Sequence, residues 1–154
     1  MNIFTQGSLQ QTYKSGTIDL PSMVGFVKAL QISYQEMDNT IKHVKEIKDY
    51  LIDNLKDEAN LTLNLPANSS PYILNMSIKG KYAETSLHYL ESHDICVSVS
   101  SACNSKERKP EKTVLAFTRN QDLALSAIRL SFSSDNNIDE AKEFVRVIKE
   151  YIHD

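Results

Sequence analysis

The stretch Ser98-Val-Ser-Ser-Ala-Cys-Asn-Ser105, followed by Lys106-Glu-Arg-Lys-Pro110, holds the residue types best suited to nucleophilic chemistry. It sets Cys103 among small residues that leave the sulfur uncrowded. Lys106, Arg108 and Lys109 follow within six residues of it, against one anion, Glu107. Nearby cations favour thiolate over thiol, and the thiolate is the nucleophile. A polar, charged segment of this kind reads as an exposed loop. On composition alone, Cys103 reads equally well as a small residue in a turn. Arg129 is the second residue of interest. It interrupts Ala127-Ile-Arg-Leu-Ser131, a strand-like run of apolar and small residues. Taken by itself, it reads as a surface arginine on an edge strand or as one packed against a structural carboxylate.

The other chemistry-bearing residues form no constellation. His88 and His93 are five apart and do not share a helix face, so with Cys96 they predict no metal site. His43 and His153 fall on predicted helices, where solvation is expected. There is no glycine-rich phosphate loop and no paired His-Glu metal motif. Cys96 lies in Ile95-Cys-Val-Ser-Val99, read as an apolar strand in which the thiol is a buried small hydrophobe.

The elements around these residues follow from periodicity. Met1–Leu20 is a polar lead-in with a turn at Ser15-Gly16-Thr17. Pro21 suits the first turn of a helix. From there to Glu58 apolar residues recur at steps of three or four, among them Ile41, Val44, Ile47, Leu51 and Leu55. A helix over 21–58 is long for a globular domain, so it either bends near Gln35–Asn39 or bridges two domains. Asn60–Asn64 predicts a short strand, Asn68-Ser-Ser-Pro71 a turn, and Tyr72–Ile78 a strand. Ala83–His93 predicts a helix, Ile95–Val99 a strand, Pro110–Phe117 a short helix and Ala127–Ser133 a strand. Asn137 and Glu140 have capping-box spacing, and Ile138–Ile152 carries a helical apolar stripe. Residues 59–154 thus form one small α+β domain: a largely antiparallel sheet covered by helices.

At 154 residues the chain, 1–154, is expected to be a single domain by length, and with 41% hydrophobic and 24% charged content it can bury a substantial core. A net charge of −3 without a basic block favours neither nucleic acid nor anionic lipid as partner. No apolar run approaches a membrane span, and the N-terminus has no signal-peptide pattern. Two cysteines are too few for a disulfide framework. A cytoplasmic protein is expected.

Val97-Ser98 with Ser101-Ala102-Cys103-Asn104-Ser105 resembles the active-site loop of the cysteine desulfurases, which typically reads Val-Ser-Ser-Gly-Ser-Ala-Cys-Thr-Ser. Ser15-Gly16-Thr17 resembles the family's Arg-Ser-Gly-Thr, and Ala127-Ile128-Arg129-Leu130-Ser131 its Ser-Ile-Arg-Phe-Ser strand. The three matches stand in family order from about Gln10 to the C-terminus. Cysteine desulfurases are pyridoxal-phosphate enzymes of the class V aminotransferase family, which has fold type I. The resemblance implies the small C-terminal domain of such an enzyme, with the long helix linking it to the large domain.

That resemblance assigns roles. Cys103 takes the position that attacks the sulfur of the substrate L-cysteine, leaving L-alanine and an enzyme persulfide. A thiolate on a movable loop suits this step. Arg129 becomes the anchor for the substrate carboxylate, since guanidinium binds carboxylate through two parallel hydrogen bonds. Thr17 matches the position that reaches the cofactor phosphate across a homodimer. Two departures stand out. Ser100 replaces a loop glycine, whose backbone freedom serine lacks. Lys14 replaces an arginine, keeping charge but losing the two-pronged geometry. The family's Schiff-base lysine follows a histidine, and this chain has no His-Lys pair. The implied protein is the desulfurase part that carries Cys103 and Arg129, without the cofactor lysine or large domain, and inactive alone. Pyridoxal phosphate belongs to the complete enzyme, with none held by this chain by itself. The implied partners are a large-domain chain or a second copy, and a sulfur acceptor, as in iron-sulfur cluster assembly or tRNA thiolation. The alternative is a non-catalytic interaction or dimerisation module.

Overall fold

The computed structural model describes residues 19–99 and 109–153. Lys14, Thr17, Ser100 and Cys103 lie outside them. The chain divides into two units between Asp38 and Asn39. Helix α1 spans Leu20–Leu55. Asp19 caps it, accepting from the Ser22 amide at 3.2 Å and the Ser22 hydroxyl at 2.7 Å. Pro21 falls in the first turn, where its missing N–H leaves no intrahelical bond unmade.

The described part of the first unit is α1 up to Asp38. Its apolar side chains Leu20, Met23, Val24, Phe26, Val27 and Leu30 are all exposed, Phe26 to 69%. No helix among the described residues is long and apolar enough to cross a membrane.

The second unit holds a three-stranded antiparallel sheet in the order β1-β2-β3. The strands are β1 (Leu61–Leu63), β2 (Ile73–Ile78) and β3 (Ala127–Ser131). Leu63 pairs with Met76, and Leu74, Asn75 and Met76 pair with Leu130, Arg129 and Ile128. Alternation sends Leu74, Met76, Ile78, Ile128 and Leu130 to one face. There they meet Ile47, Leu51 and Leu55 of α1, Leu90 of α2 (Ala83–Glu91), and Phe144, Val147 and Ile148 of α5 (Ile138–His153). Each buried Leu or Ile contributes about 1.5–3 kcal/mol of transfer free energy. The opposite face meets α3 (Lys112–Thr118) and α4 (Gln121–Leu125) through a small cluster of Val114, Ala124 and Ala127.

Local chemistry fixes the helix ends. Asn137 Oδ1 accepts from the Asp139 and Glu140 amides at 3.0 Å each. Glu140 returns a bond from the Asn137 amide at 3.1 Å, completing the capping box read from the sequence. Glu111 caps α3 by accepting from the Val114 amide, and Asn120 caps α4.

Three sequence expectations are corrected. Residues 95–99 are not a strand; only Ser98 pairs with the sheet, as an isolated antiparallel bridge to Arg129. Cys96 is exposed rather than buried. Ile95, Val97 and Val99 pack against the core, and two-residue alternation turns Cys96 and Ser98 the other way. His43 is not simply solvated: its Nε2 donates to the Asn136 carbonyl at 2.6 Å, tying α1 to the loop before α5.

Candidate functional site

The face of the sheet away from the main core carries a polar row. Asn64 follows β1, and its amide donates to the Asn75 carbonyl at 2.9 Å. Asn75 pairs with Arg129, and Arg129 exchanges two backbone bonds with Ser98, at 3.0 and 2.9 Å. Asn64, Asn75, Arg129 and Ser98 therefore sit side by side across the sheet. Neighbours in such a row lie about 4.5–5.5 Å apart at Cβ, so their side chains share one environment.

Arg129 is exposed, and its guanidinium has no ion pair or side-chain hydrogen bond with another described residue. A structural carboxylate partner is thus not found among the described residues. With Asn75 and Glu111, Arg129 lines two adjoining cavities of about 80 and 390 Å³. Ser98 and Val99 border the smaller one; Asn64, Ser69, Ser70 and Phe117 border the larger.

The wall of the larger cavity is held from behind. Lys48 on α1 is buried, and its Nζ donates to the Ser69 hydroxyl at 2.9 Å and the Ser70 carbonyl at 2.7 Å. Burial pushes the Lys48 pKa below that of an ordinary lysine, with Asp49 opposing the shift. Behind Asn75 runs a buried hydrogen-bond chain. Asn64 Nδ2 donates to Asn75 Oδ1 at 2.7 Å and to Ser77 Oγ at 2.8 Å, and Ser77 Oγ donates to the Leu123 carbonyl at 2.7 Å.

Of the predicted site residues, Arg129 is placed at the centre of this row. Thr17 and Cys103 lie outside the described residues, but Ser98 stands beside Arg129, five positions before Cys103 in the chain. Sequence reading missed Asn64, Asn75, Ser77 and Glu111. For Asn75 and Ser77 the signal was the alternation in Leu74-Asn-Met-Ser77, which puts two polar residues on one face of an otherwise apolar strand; Asn64 and Glu111 carry no such local signal.

A larger cavity, about 790 Å³, lies between α1, α5 and residues 93–96. Three of the four carboxylates that line it are already engaged: Glu140 with Asn136 and Asn137, Glu143 with Arg146, and Asp139 with Lys142; Asp94 is the fourth. No three His, Cys, Asp or Glu residues among those described are grouped to hold a metal ion.

Comparison with known proteins places the chain. Residues 1–144 match the family model for aminotransferase class-V. A NifS/IcsS protein homolog of Lactobacillus delbrueckii subsp. bulgaricus is 30% identical over 146 residues, covering 94% of this chain and 38% of that protein. The cysteine desulfurase IscS of Vibrio vulnificus is 32% identical over 152 residues, covering 96% and 37%. The chain thus spans little more than a third of the length of these relatives. Among solved structures, a NifS-like protein from Rickettsia africae superposes with a TM-score of 0.76 at 22% identity, over 99% of this chain and 40% of that one. The cysteine desulfurase CsdA of Escherichia coli gives 0.68 at 14% identity, over 99% and 39%. With a family model covering most of its length, the chain belongs to the class V aminotransferases, and its homologues are named cysteine desulfurases.

Proposed function

We propose that this chain is the C-terminal part of a cysteine desulfurase, in which Arg129 binds the carboxylate of L-cysteine and Cys103 receives its sulfur. The reaction balances as L-cysteine plus the Cys103 thiol giving L-alanine plus a Cys103 persulfide. The substrate sulfur becomes the outer, sulfane sulfur of the persulfide; the two electrons that the pair of sulfurs loses as the S–S bond forms reduce the substrate β-carbon to a methyl group as its C–S bond breaks. The observation that carries the reading is Arg129: an exposed guanidinium, unpaired among the described residues, at the centre of a polar row. Its neighbour Ser98 is five residues before Cys103, and an extended chain covers at most about 18 Å over that distance.

The cavity walls at Arg129 contain no lysine, histidine or aspartate among the described residues. They offer no amine for a Schiff base, so these residues do not fit pyridoxal phosphate as a resident group. We assign them the substrate's carboxylate and place the cofactor in the two thirds of the enzyme outside this chain, on the same polypeptide or another. Thr17 would meet the cofactor phosphate across a dimer. The persulfide sulfur would pass to an acceptor protein.

The experiment is made in the complete enzyme. Alanine release from L-cysteine is followed for the parent and for Arg129→Ala. The variant should raise KM for cysteine by roughly 10- to 150-fold, matching the ~1.5–3 kcal/mol of a charge-assisted pair. Unchanged kinetics would refute the role. A second reading, an interaction or dimerisation module, is favoured by the exposed apolar side chains of Leu20–Leu30. It predicts a stable complex in which neither Cys103 nor Arg129 affects any turnover.

A further inference from the structure

We propose that the side-chain amide of Asn75 is the second donor of the carboxylate site, beside Arg129, and that Asn64 and Ser77 hold it in its donating orientation. This rests on the reading of Arg129 as carboxylate anchor and adds a residue to that site.

The orientation follows from hydrogen-bond polarity. The Leu123 carbonyl can only accept, so the Ser77 hydroxyl, 2.7 Å away, must give it its single proton. Ser77 Oγ can then only accept from Asn64, 2.8 Å away, which turns Asn64 Nδ2 toward it. The second Nδ2 proton of Asn64 goes to Asn75 at 2.7 Å, and the atom receiving it must be Oδ1. Asn75 Nδ2 is what remains, and no described residue accepts from it. Asn75 lines both cavities that Arg129 lines. One backbone carbonyl thus sets, through the side chains of Ser77 and Asn64, which end of Asn75 is offered to the pocket.

The arrangement carries a cost that points the same way. Asn64 is only 7% exposed, and its Oδ1 is buried without a hydrogen-bond partner among the described residues. An unsatisfied buried acceptor opposes folding, because it gives up water without gaining a partner. Both Asn64 protons are spent on ordering Asn75 and Ser77 while its own oxygen goes unmet. Such a violation is expected where a site needs a group held still. The ligand class is a carboxylate, whose two oxygens can take the guanidinium and a neighbouring N–H together. Glu111 in the same wall would repel an anion held by Asn75 alone, so the amide works only alongside Arg129.

The test titrates the ¹⁵N-labelled chain with L-alanine, which carries the carboxylate without the reactive sulfur. L-Alaninamide, which lacks the carboxylate, is the control. The Arg129 Nε–H and Asn75 Nδ2–H₂ resonances should both shift and saturate together with L-alanine and not with L-alaninamide. Asn75→Asp keeps the acceptor for Asn64 but replaces the pocket donor with an anionic oxygen. It should weaken binding more than tenfold with an unchanged backbone amide fingerprint. Ser77→Ala removes the lock on polarity. It should abolish the Asn75 side-chain response while that of Arg129 persists with weaker saturation, which a purely structural role for Ser77 would not produce. If Arg129 responds while Asn75 does not, and Asn75→Asp binds as the parent does, this inference falls and the Arg129 reading stands. If neither group shows a saturable shift, or L-alaninamide matches L-alanine, both fall.

Discussion

The two faces of one small sheet divide the work of this domain. On one face Leu74, Met76, Ile78, Ile128 and Leu130 are buried against α1, α2 and α5. On the other, the same strands present Asn75, Ser77 and Arg129 to a hydrogen-bond chain and two open cavities. Leu74, Met76, Ile128 and Leu130 are the immediate sequence neighbours of Asn75 and Arg129, so a rigid apolar strand core lies directly behind each polar group. Strand alternation thus separates buried apolar side chains from polar ones residue by residue. A substitution at position 74 or 130 should act on folding, and one at 75 or 129 on binding.

The sharpest way to break that division is on the apolar side. Leu74→Ala should cost ~2–5 kcal/mol in urea unfolding, because it leaves a cavity in a fully buried contact with Leu130. A loss below about 1 kcal/mol would mean the face is not the structural one. On the polar side, Arg129→Ala should leave unfolding within about 0.5 kcal/mol of the parent. A large destabilisation would return Arg129 to a packing role. Glu111→Gln should tighten L-alanine binding severalfold in the same titration, since it removes an anion from the pocket wall while an amide oxygen can still cap α3. The smallest effect lies at the turn that leads into β1, where the Glu58 carbonyl accepts from the Leu61 amide at 3.1 Å. Glu58 accepts from Lys149 at 2.9 Å and His153 at 3.3 Å, and the Lys149 contact first of all holds its carboxyl below the ordinary range. A depressed carboxyl pKa contributes stability that is present above its unfolded value and lost as pH falls through its folded value. Acid titration of unfolding should therefore show a slightly shallower loss below the ordinary glutamate range in Glu58→Gln than in the parent.

Much of this was legible from the sequence. Ile41–Leu55 at helical spacing, the branched run Ile73–Ile78, the Asn137/Glu140 cap and the α5 stripe each carry a strong local period, and each appears where expected. Arg129 stood out because a charge inside an apolar strand is costly unless it faces outward. Residues 95–99 were misread because their mean apolarity was weighed instead of their alternation, which leaves Cys96 outside. Iodoacetamide should accordingly modify Cys96 in the native protein at a rate close to that in denaturant. A rate far slower than in denaturant would restore the buried reading. Asn64 and Ser77 could not be read at all as parts of one network. Their partnership depends on strand register and on the Leu123 carbonyl, 46 residues beyond Ser77, which no local pattern encodes.

The central claim is that sulfur from L-cysteine arrives on Cys103 while Arg129 holds the substrate's carboxylate. The direct measurement is peptide mapping by mass spectrometry after a single turnover of the complete enzyme with ³⁴S-labelled L-cysteine, under non-reducing conditions. The account predicts one added ³⁴S atom on the peptide containing Cys103 and none on that containing Cys96. It predicts one L-alanine released per sulfur bound, and both signals appearing roughly 10- to 150-fold more slowly in Arg129→Ala at subsaturating cysteine. Alanine release without sulfur on Cys103, or labelled sulfur on Cys96 instead, would contradict it.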